Sequence, residues 1–337
     1  MNTALENKLN ALKIPGRVAS VSDNDFYTCY HIIFNPDITI NRIKARCEDL
    51  ELFFAGSAVD IETDAGDVVI KVTKNNRHVI GLYDFTCNID NLTDYEIPLI
   101  IGQKENGQKL FFDLVNAPHI LAGGSTGSGK SVFMHNLIIS TLCTGKTALI
   151  LIDVKRVEFS IYENMPQLAA PISYDARAAF QTLKNLNYEM EKRYKLLKDN
   201  HCRTIKEYRK NIGRLDYIAV FIDELADLIL SNKKIELELI KLAQLGRAAG
   251  IHLIVATQRP DASIISGLIR SNIPTRVCFA VQKSTDSRII IDTNGGENLR
   301  GNGDGLFVPI GSKTPVRFQA PYITTRALLE TIEKAKQ

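Results

Sequence analysis

The chain has 337 residues, 45% of them hydrophobic, with 41 Lys and Arg against 38 Asp and Glu for a net charge of +3. That length holds two or three domains with cores of ordinary size, so no disulfide or metal staple is required. The near-neutral balance excludes a strongly basic, histone-like binder and a highly charged disordered chain.

Residues 1–13 are predicted to form a short amphipathic helix ended by Pro15-Gly16. The segment is polar and lacks a secretory apolar core. No apolar run in the chain approaches the roughly 18 residues that cross a bilayer. A soluble, cytoplasmic protein without membrane insertion is expected. Strands near 17–22 and 26–34 follow, then a helix over Ile40–Leu52, with Ile40, Ile43 and Leu50 at helical spacing. Alternating runs at Ala58–Ile61 and Val68–Val72 complete a small α+β unit. Asn75-Asn76 marks a turn, and the polar, Asn-rich Thr86–Asp94 suits a linker. The expected division is an N-terminal domain over 1–90 and a larger one over 95–337.

From Ile97 the pattern changes. Short apolar runs recur at 97–101, 118–122, 147–152, 217–222, 251–256 and 276–281, with helical patterns between most of them. Short apolar strands alternating with helices predict a parallel sheet with helices on both faces. The longest predicted helix starts near Asp175-Ala176. Its stripe Phe180, Leu183, Leu186, Met190, Tyr194, Leu197 is read as a core face. Lys184–Arg214 holds ten basic and four acidic residues, read as a solvated face. The six cysteines are scattered with no CxxC pair and are read as small buried hydrophobes. The histidines show no metal-ligand spacing, so metal chemistry must come through carboxylates and phosphates.

Residues 118–137 read PHILAGGSTGSGKSVFMHNL. Gly124, Ser125, Thr126, Gly127, Ser128, Gly129, Lys130 and Ser131 fit the phosphate-loop pattern G-x-x-x-x-G-K-[ST]. The motif follows an apolar run and opens the helical run from Val132 to Leu142, the strand–loop–helix context it requires. Glycines let the backbone wrap with its N–H groups inward, and the helix adds the positive end of its dipole. Lys130 is expected to reach the β/γ-phosphates of ATP, and the Ser131 hydroxyl to ligate Mg²⁺.

A second acidic element is needed, and the apolar run Tyr217–Ile222 ends in Asp223-Glu224. Asp223 is read as the Mg²⁺ residue and Glu224 as the group that polarises the attacking water. Ile251–Ala256 ends in Thr257-Gln258-Arg259-Pro260, which makes Gln258 a candidate sensor of hydrolysis. Asp153 ends the run Leu149–Ile152 and leads into Lys155, which faces the nucleotide or forms an ion pair.

These residues resemble the motor region of the FtsK/SpoIIIE family of DNA translocases. The resemblance spans about residues 16–320. It rests on Pro118–Asn136, on LIDVKRVEFSIYENMP, EMEKRYKLL and FIDELADL, and above all on Leu242–Leu306 with LAQLGRAAGIHLIVATQRPD, SGLIRSNIPTRVCFAV, DSRIIID and GNGDGL. It implies an α/β fold: a RecA-like P-loop ATPase domain with a mainly parallel sheet flanked by helices, preceded by a small α+β domain. It also implies a homohexameric ring that threads double-stranded DNA and hydrolyses ATP at subunit interfaces. Carried over, Lys130 and Ser131 are the Walker A pair, Asp223 and Glu224 the Walker B pair, and Gln258 the sensor. Arg247, in GRAAG, is the arginine supplied to the neighbour's γ-phosphate. A planar cation that never deprotonates suits charge spread over equatorial oxygens.

Some family features depart. Lys283 stands near the position of the family's interfacial lysine. Membrane-anchoring segments and a C-terminal winged-helix reader are not seen. A compact motor of this kind suits a chromosome or plasmid partition system or a mobile element, with a relaxase, recombinase or segregation protein as partner. The window Arg247–Arg288 holds six basic and two acidic residues. Arg259, Arg270 and Arg288 are the candidate DNA contacts, reading backbone phosphate rather than bases. Two other readings are carried beside the translocase. One is a coupling or recruitment ATPase of a conjugation or packaging system that needs a partner. The other is a nucleotide-gated binding module.

Overall fold

A computed structural model describes residues 1–336 except 25, 65–66, 75–78, 88–91 and 93. The turn expected at Asn75-Asn76 and part of the linker expected at Thr86–Asp94 lie outside the described residues. The chain divides into two compact units. One is Met1–Val79 with Glu105–Gln108, and the other is Ile80–Lys104 with Lys109–Gln337.

The smaller unit runs α1 (Asn2–Ala11), β1 (Gly16–Asp23), β2 (Tyr27–Phe34), α2 (Ile40–Lys44), α3 (Cys47–Phe53), β3 (Val59–Asp64) and β4 (Asp67–Thr73). Its four strands pair antiparallel in the order β1-β2-β4-β3. Alternation turns Tyr30, Ile32, Ile61 and Ile70 into a core with Leu5 and Leu9 of α1, Ile43 of α2 and Leu50 of α3. The helix expected over Ile40–Leu52 is therefore two, interrupted at Ala45-Arg46, where Arg46 leaves helical geometry with ψ near 12°.

The larger unit continues with α4 (Tyr83–Thr86), β5 (Pro98–Lys104), β6 (Lys109–Asp113), β7 (His119–Gly123), α5 (Lys130–Cys143), β8 (Thr147–Ile152), α6 (Ala176–Asp199) and α7 (Ile205–Asn211). Then come β9 (Tyr217–Ile222), α8 (Leu225–Ser231), α9 (Lys234–Ala249), β10 (Ile251–Thr257), α10 (Gly267–Asn272) and β11 (Thr275–Phe279). It closes with α11 (Ser284–Ile291), β12 (Asp304–Val308), β13 (Val316–Gln319) and α12 (Thr325–Lys336). None of the described helices is long and apolar enough to cross a membrane.

The sheet order is β6-β5-β13-β12-β11-β7-β10-β9-β8. Its half from β11 to β8 is parallel. Every residue of β7, β9, β10 and β11 is buried, which is why these strands read as unbroken apolar runs. The order within this half is that of a RecA-like P-loop ATPase core. The other half, β12, β13, β5 and β6, is antiparallel. It includes the run 97–101, whose apolar pattern matches that of the parallel strands although β5 pairs antiparallel on both sides. Strands β6, β12 and β13 are short and only partly apolar, so they leave no apolar run in the sequence.

Helix α6 forms as expected, capped by the Asp175 carboxylate, which accepts from the Ala178 N–H at 2.8 Å. Leu183, Leu186 and Met190 pack into the core of the parallel half, with Phe180 and Tyr194 at its edge. The expectation of buried cysteines fails in part. Cys29 and Cys278 are buried, but Cys87 and Cys143 are exposed. Both sit near helix ends, where a small side chain is tolerated without burial.

The sheet topology decides the site. Because β10 lies between β7 and β9, three neighbouring strand ends bring together the phosphate loop, Gln258 and Asp223-Glu224.

Candidate nucleotide site

The loop after β7 wraps back on itself and enters α5 at Lys130. Gly129 caps that helix at φ 102°, a left-handed conformation that side chains rarely adopt. A Cβ there would lie 2.4 Å from the Gly303 nitrogen, and one at Gly124 would lie 2.7 Å from Phe279 Cβ. The cradle therefore closes only because these positions carry no side chain. Its frame is pinned from neighbouring strand ends. The Ser125 N–H donates to the Ala280 carbonyl at 2.8 Å, and the Gly124 N–H to that of Thr257 at 3.2 Å.

Beside the loop opens a cavity of about 310 Å³. Ser125, Thr126, Gly127, Gly129, Lys130, Ser131 and Val132 line it, while Gly124 and Ser128 are buried behind. Ser128 Oγ is buried and, among the described residues, has no hydrogen-bond partner. A backbone cradle at a helix N-terminus, a lysine, a hydroxyl and a carboxylate are the donor set that fits a nucleotide phosphate with Mg²⁺. The described residues form no cluster of three or more metal-ligating side chains. Mg²⁺ at such sites commonly takes one or two protein oxygens and completes its shell with phosphate and water.

Lys130 Nζ lies 3.0 Å from Asp223 Oδ1 and 3.2 Å from the Asp223 carbonyl oxygen, with both side chains almost fully buried. Burial pushes the Asp223 carboxyl above its ordinary value, and the Lys130 ammonium only partly offsets this. Glu224 is buried one residue on and points toward β10. Its Oε1 accepts from the Thr257 hydroxyl at 2.7 Å, and its Oε2 accepts from the Gln258 N–H at 3.1 Å and from Lys155 at 3.3 Å. The Lys155 alternative is thus resolved as an ion pair. Asp153 caps the following turn, accepting from the Glu158 and Phe159 N–H groups at 2.9 Å each. The Gln258 side chain lines the cavity and accepts from the Thr126 hydroxyl at 2.9 Å.

The arginines divide. Arg259 is exposed and stands 3.7 Å from Asp227. Arg270 is half-buried, 3.6 Å from Asp292. Arg288 is exposed on α11 and donates to Asn294 at 2.7 Å. Arg276, counted with them in the sequence window, is buried and donates to the carbonyls of Ile273 and Ile290, so its charge serves the fold. Arg247 is exposed in the last turn of α9 and does not line the cavity. Its charge acts on His119 and His252, at the strand ends opposite the phosphate loop.

Sequence reasoning missed part of the cavity wall. Glu158 lines it, 3.4 Å from His135 Nε2 on α5, and the histidine holds the carboxyl below its usual range. Asn302 and Gly303 close over the loop, with the Gly303 N–H donating to the Ser128 carbonyl at 2.8 Å. Pro321 and Tyr322 complete the far side. The glycine density of GNGDG was the available signal for the second group; an isolated Glu158 offered none.

Residues 92–262 match the FtsK/SpoIIIE family. The DNA translocase FtsK of Sporosarcina ureae is 35% identical over 339 residues, covering 95% of this chain and 44% of that protein. The DNA translocase SpoIIIE of Bacillus subtilis is also 35% identical, covering 95% and 43%. The chain therefore spans less than half the length of these relatives. Among solved structures, the pCW3 conjugation coupling protein TcpA, in a monomer form with ATPγS, superposes with a TM-score of 0.72 at 26% identity, over 100% of this chain and 99% of that one. The cytoplasmic domain of the Thermomonospora curvata type VII secretion ATPase EccC shares the fold, with a TM-score of 0.64 at 21% identity. With a phosphate loop of this geometry and a third of its residues shared along nearly its whole length, the chain belongs to the FtsK/SpoIIIE family and carries that family's P-loop ATPase fold.

Proposed function

We propose that the chain is an ATP-driven double-stranded DNA translocase that works as a homohexameric ring. One observation carries the reading. The carboxylate suited to activating water, Glu224, is bonded to the end of β10, and β10 continues directly into the loop bearing Arg259, which leads to α10 bearing Arg270. Nucleotide chemistry and a cationic loop therefore share one strand end.

In this mechanism the loop N–H groups and Lys130 hold the phosphates, so Lys130 exchanges its Asp223 bond for one to phosphate. Ser131 and Asp223 would hold Mg²⁺, which, when bound, neutralises developing phosphate charge. Glu224 accepts a proton from the attacking water. Gln258 feels the γ-phosphate through its position beside Thr126, and the loop beyond it shifts along the DNA backbone. Arg247 does not line the cavity of its own chain, and this supports a role at a neighbour's.

Likeness to TcpA over the full chain favours a second reading, a coupling ATPase whose activity requires a partner protein. The test is ATP hydrolysis with and without duplex DNA. The translocase reading expects several-fold stimulation, nearly independent of base sequence. Replacing both Arg259 and Arg270 with Ala should remove most of that stimulation. It should also flatten the log–log salt dependence of DNA binding by about 0.9 per lost phosphate contact. A wild-type rate indifferent to DNA would favour the partner-dependent reading instead.

A further inference from the structure

Glu224 is held from both sides. Thr257 and the Gln258 N–H occupy it from β10, and Lys155 occupies it from the turn after β8. A carboxylate whose oxygens already accept from three donors is poorly placed to take a proton from water. Lys155 does not serve Glu224 alone. Its Nζ also stands 3.6 Å from Asp227 Oδ2, and Asp227 Oδ1 stands 3.7 Å from Arg259 Nη1. These four side chains form a line of alternating charge, Glu224–Lys155–Asp227–Arg259, from the buried carboxylate to an exposed guanidinium. Burial works to lower the Lys155 ammonium, and Glu224 and Asp227 more than reverse this, so its charge belongs to the line.

We infer that Lys155 and Asp227 are positioning residues that restrain Glu224 until an anion takes Arg259. The inference rests on the DNA-coupled reading above and names how DNA would regulate that same site. A backbone phosphate competes with Asp227 for Arg259. Asp227, relieved of that partner, draws Lys155 toward itself, and Glu224 loses one of its donors. The protons stay where they are; only ion pairs exchange. Each exposed pair is weak, so the exchange is reversible on each step of a moving strand. Thr257 ties the same elements together through the backbone. Its hydroxyl, which donates to Glu224, also accepts from the Arg259 N–H at 3.1 Å.

Two variants test this, with ATP turnover measured at varied ATP in the presence and absence of a random-sequence duplex. Lys155→Gln should raise the DNA-free kcat roughly twofold to fivefold toward the stimulated rate, the scale of one partly exposed ion pair, with KM for ATP unchanged. Asp227→Asn should bind duplex DNA at least as tightly by fluorescence anisotropy, because Arg259 is freed, yet lose most of the stimulation. A DNA-free kcat that falls or stays level in Lys155→Gln, while wild type is stimulated by DNA, overturns the inference: Lys155 then only supports Glu224. Full stimulation retained in Asp227→Asn overturns the link to Arg259. If wild type ignores DNA while Lys155→Gln still speeds turnover, the restraint on Glu224 stands and the DNA reading fails.

Discussion

At the scale of single residues, the site separates two carboxylates that are adjacent in sequence. Asp223 faces Lys130 and the phosphate loop, whereas Glu224 turns toward β10. In an extended chain, consecutive side chains point to opposite sides, and that alternation continues one step past β9. Each acid therefore meets a different neighbour, which suits it to a different task in the proposed mechanism. The Glu224→Gln substitution keeps the shape and the capacity to accept a hydrogen bond but removes the base. It should leave ATP binding near wild type, measured with a fluorescent nucleotide, while turnover falls by about 10²–10⁴, the usual range for a lost general base. Near-normal turnover in this variant would show that another group activates the water.

At the scale of elements, β7 and β10 make a second pairing at the end away from the phosphate loop. His119 and His252 are fully buried there, with ring centroids 6.4 Å apart. His119 Nδ1 accepts from the Leu253 N–H at 3.0 Å, which requires the neutral ring. Burial, with the neighbouring ring and Arg247 adding to it, lowers the His119 pKa to about 3. Burial likewise lowers His252 to about 4, despite the favourable Pro118 carbonyl. Both values lie below the unfolded one of about 6.5, so the unfolded chain takes up protons first as pH falls. Stability is thus complete above about pH 6.5 and declines toward pH 4, by about 1.4 kcal/mol per pH unit for each histidine. Asp223 acts in the opposite sense, so the slope is best read as a difference between proteins. Urea unfolding at pH 7, 6 and 5 should show a shallower decline in His252→Asn than in wild type; parallel declines would exclude a buried neutral His252.

The same elements explain what could be read in advance. Strands buried on both faces announce themselves as apolar runs, so β7 to β11 were legible, and so was the loop whose glycines permit its turn. The antiparallel half was not, because β13 is four residues long and β12 gains its burial from neighbours far away in sequence. Likewise Glu224 could be read as a base from its place after a strand, but its attachment to Thr257 and Lys155 could not. Those contacts depend on β9 and β10 being adjacent and on a turn that begins some seventy residues earlier.

On the scale of the whole molecule, the separation that matters is that between Arg247 and the cavity beside the phosphate loop. Within one chain it sits at the far strand ends, so it contributes to hydrolysis only if a second copy brings its own Lys130 and Glu224 to it. Arg247→Ala should therefore fold and bind ATP normally yet lose turnover by about 10³-fold or more, as when a trans-acting arginine is removed from related phosphoryl-transfer sites. Mixing it with Glu224→Gln gives the sharper result. Neither variant alone has a complete site. In a mixed assembly, however, some interfaces join the intact Glu224 of one variant to the intact Arg247 of the other. Turnover in the mixture should exceed the sum of the separate rates and should rise with protein concentration as assembly proceeds. A wild-type rate per chain that survives dilution to a monomer would place the catalytic cation within the chain, and Lys155 would then be the first residue to re-examine.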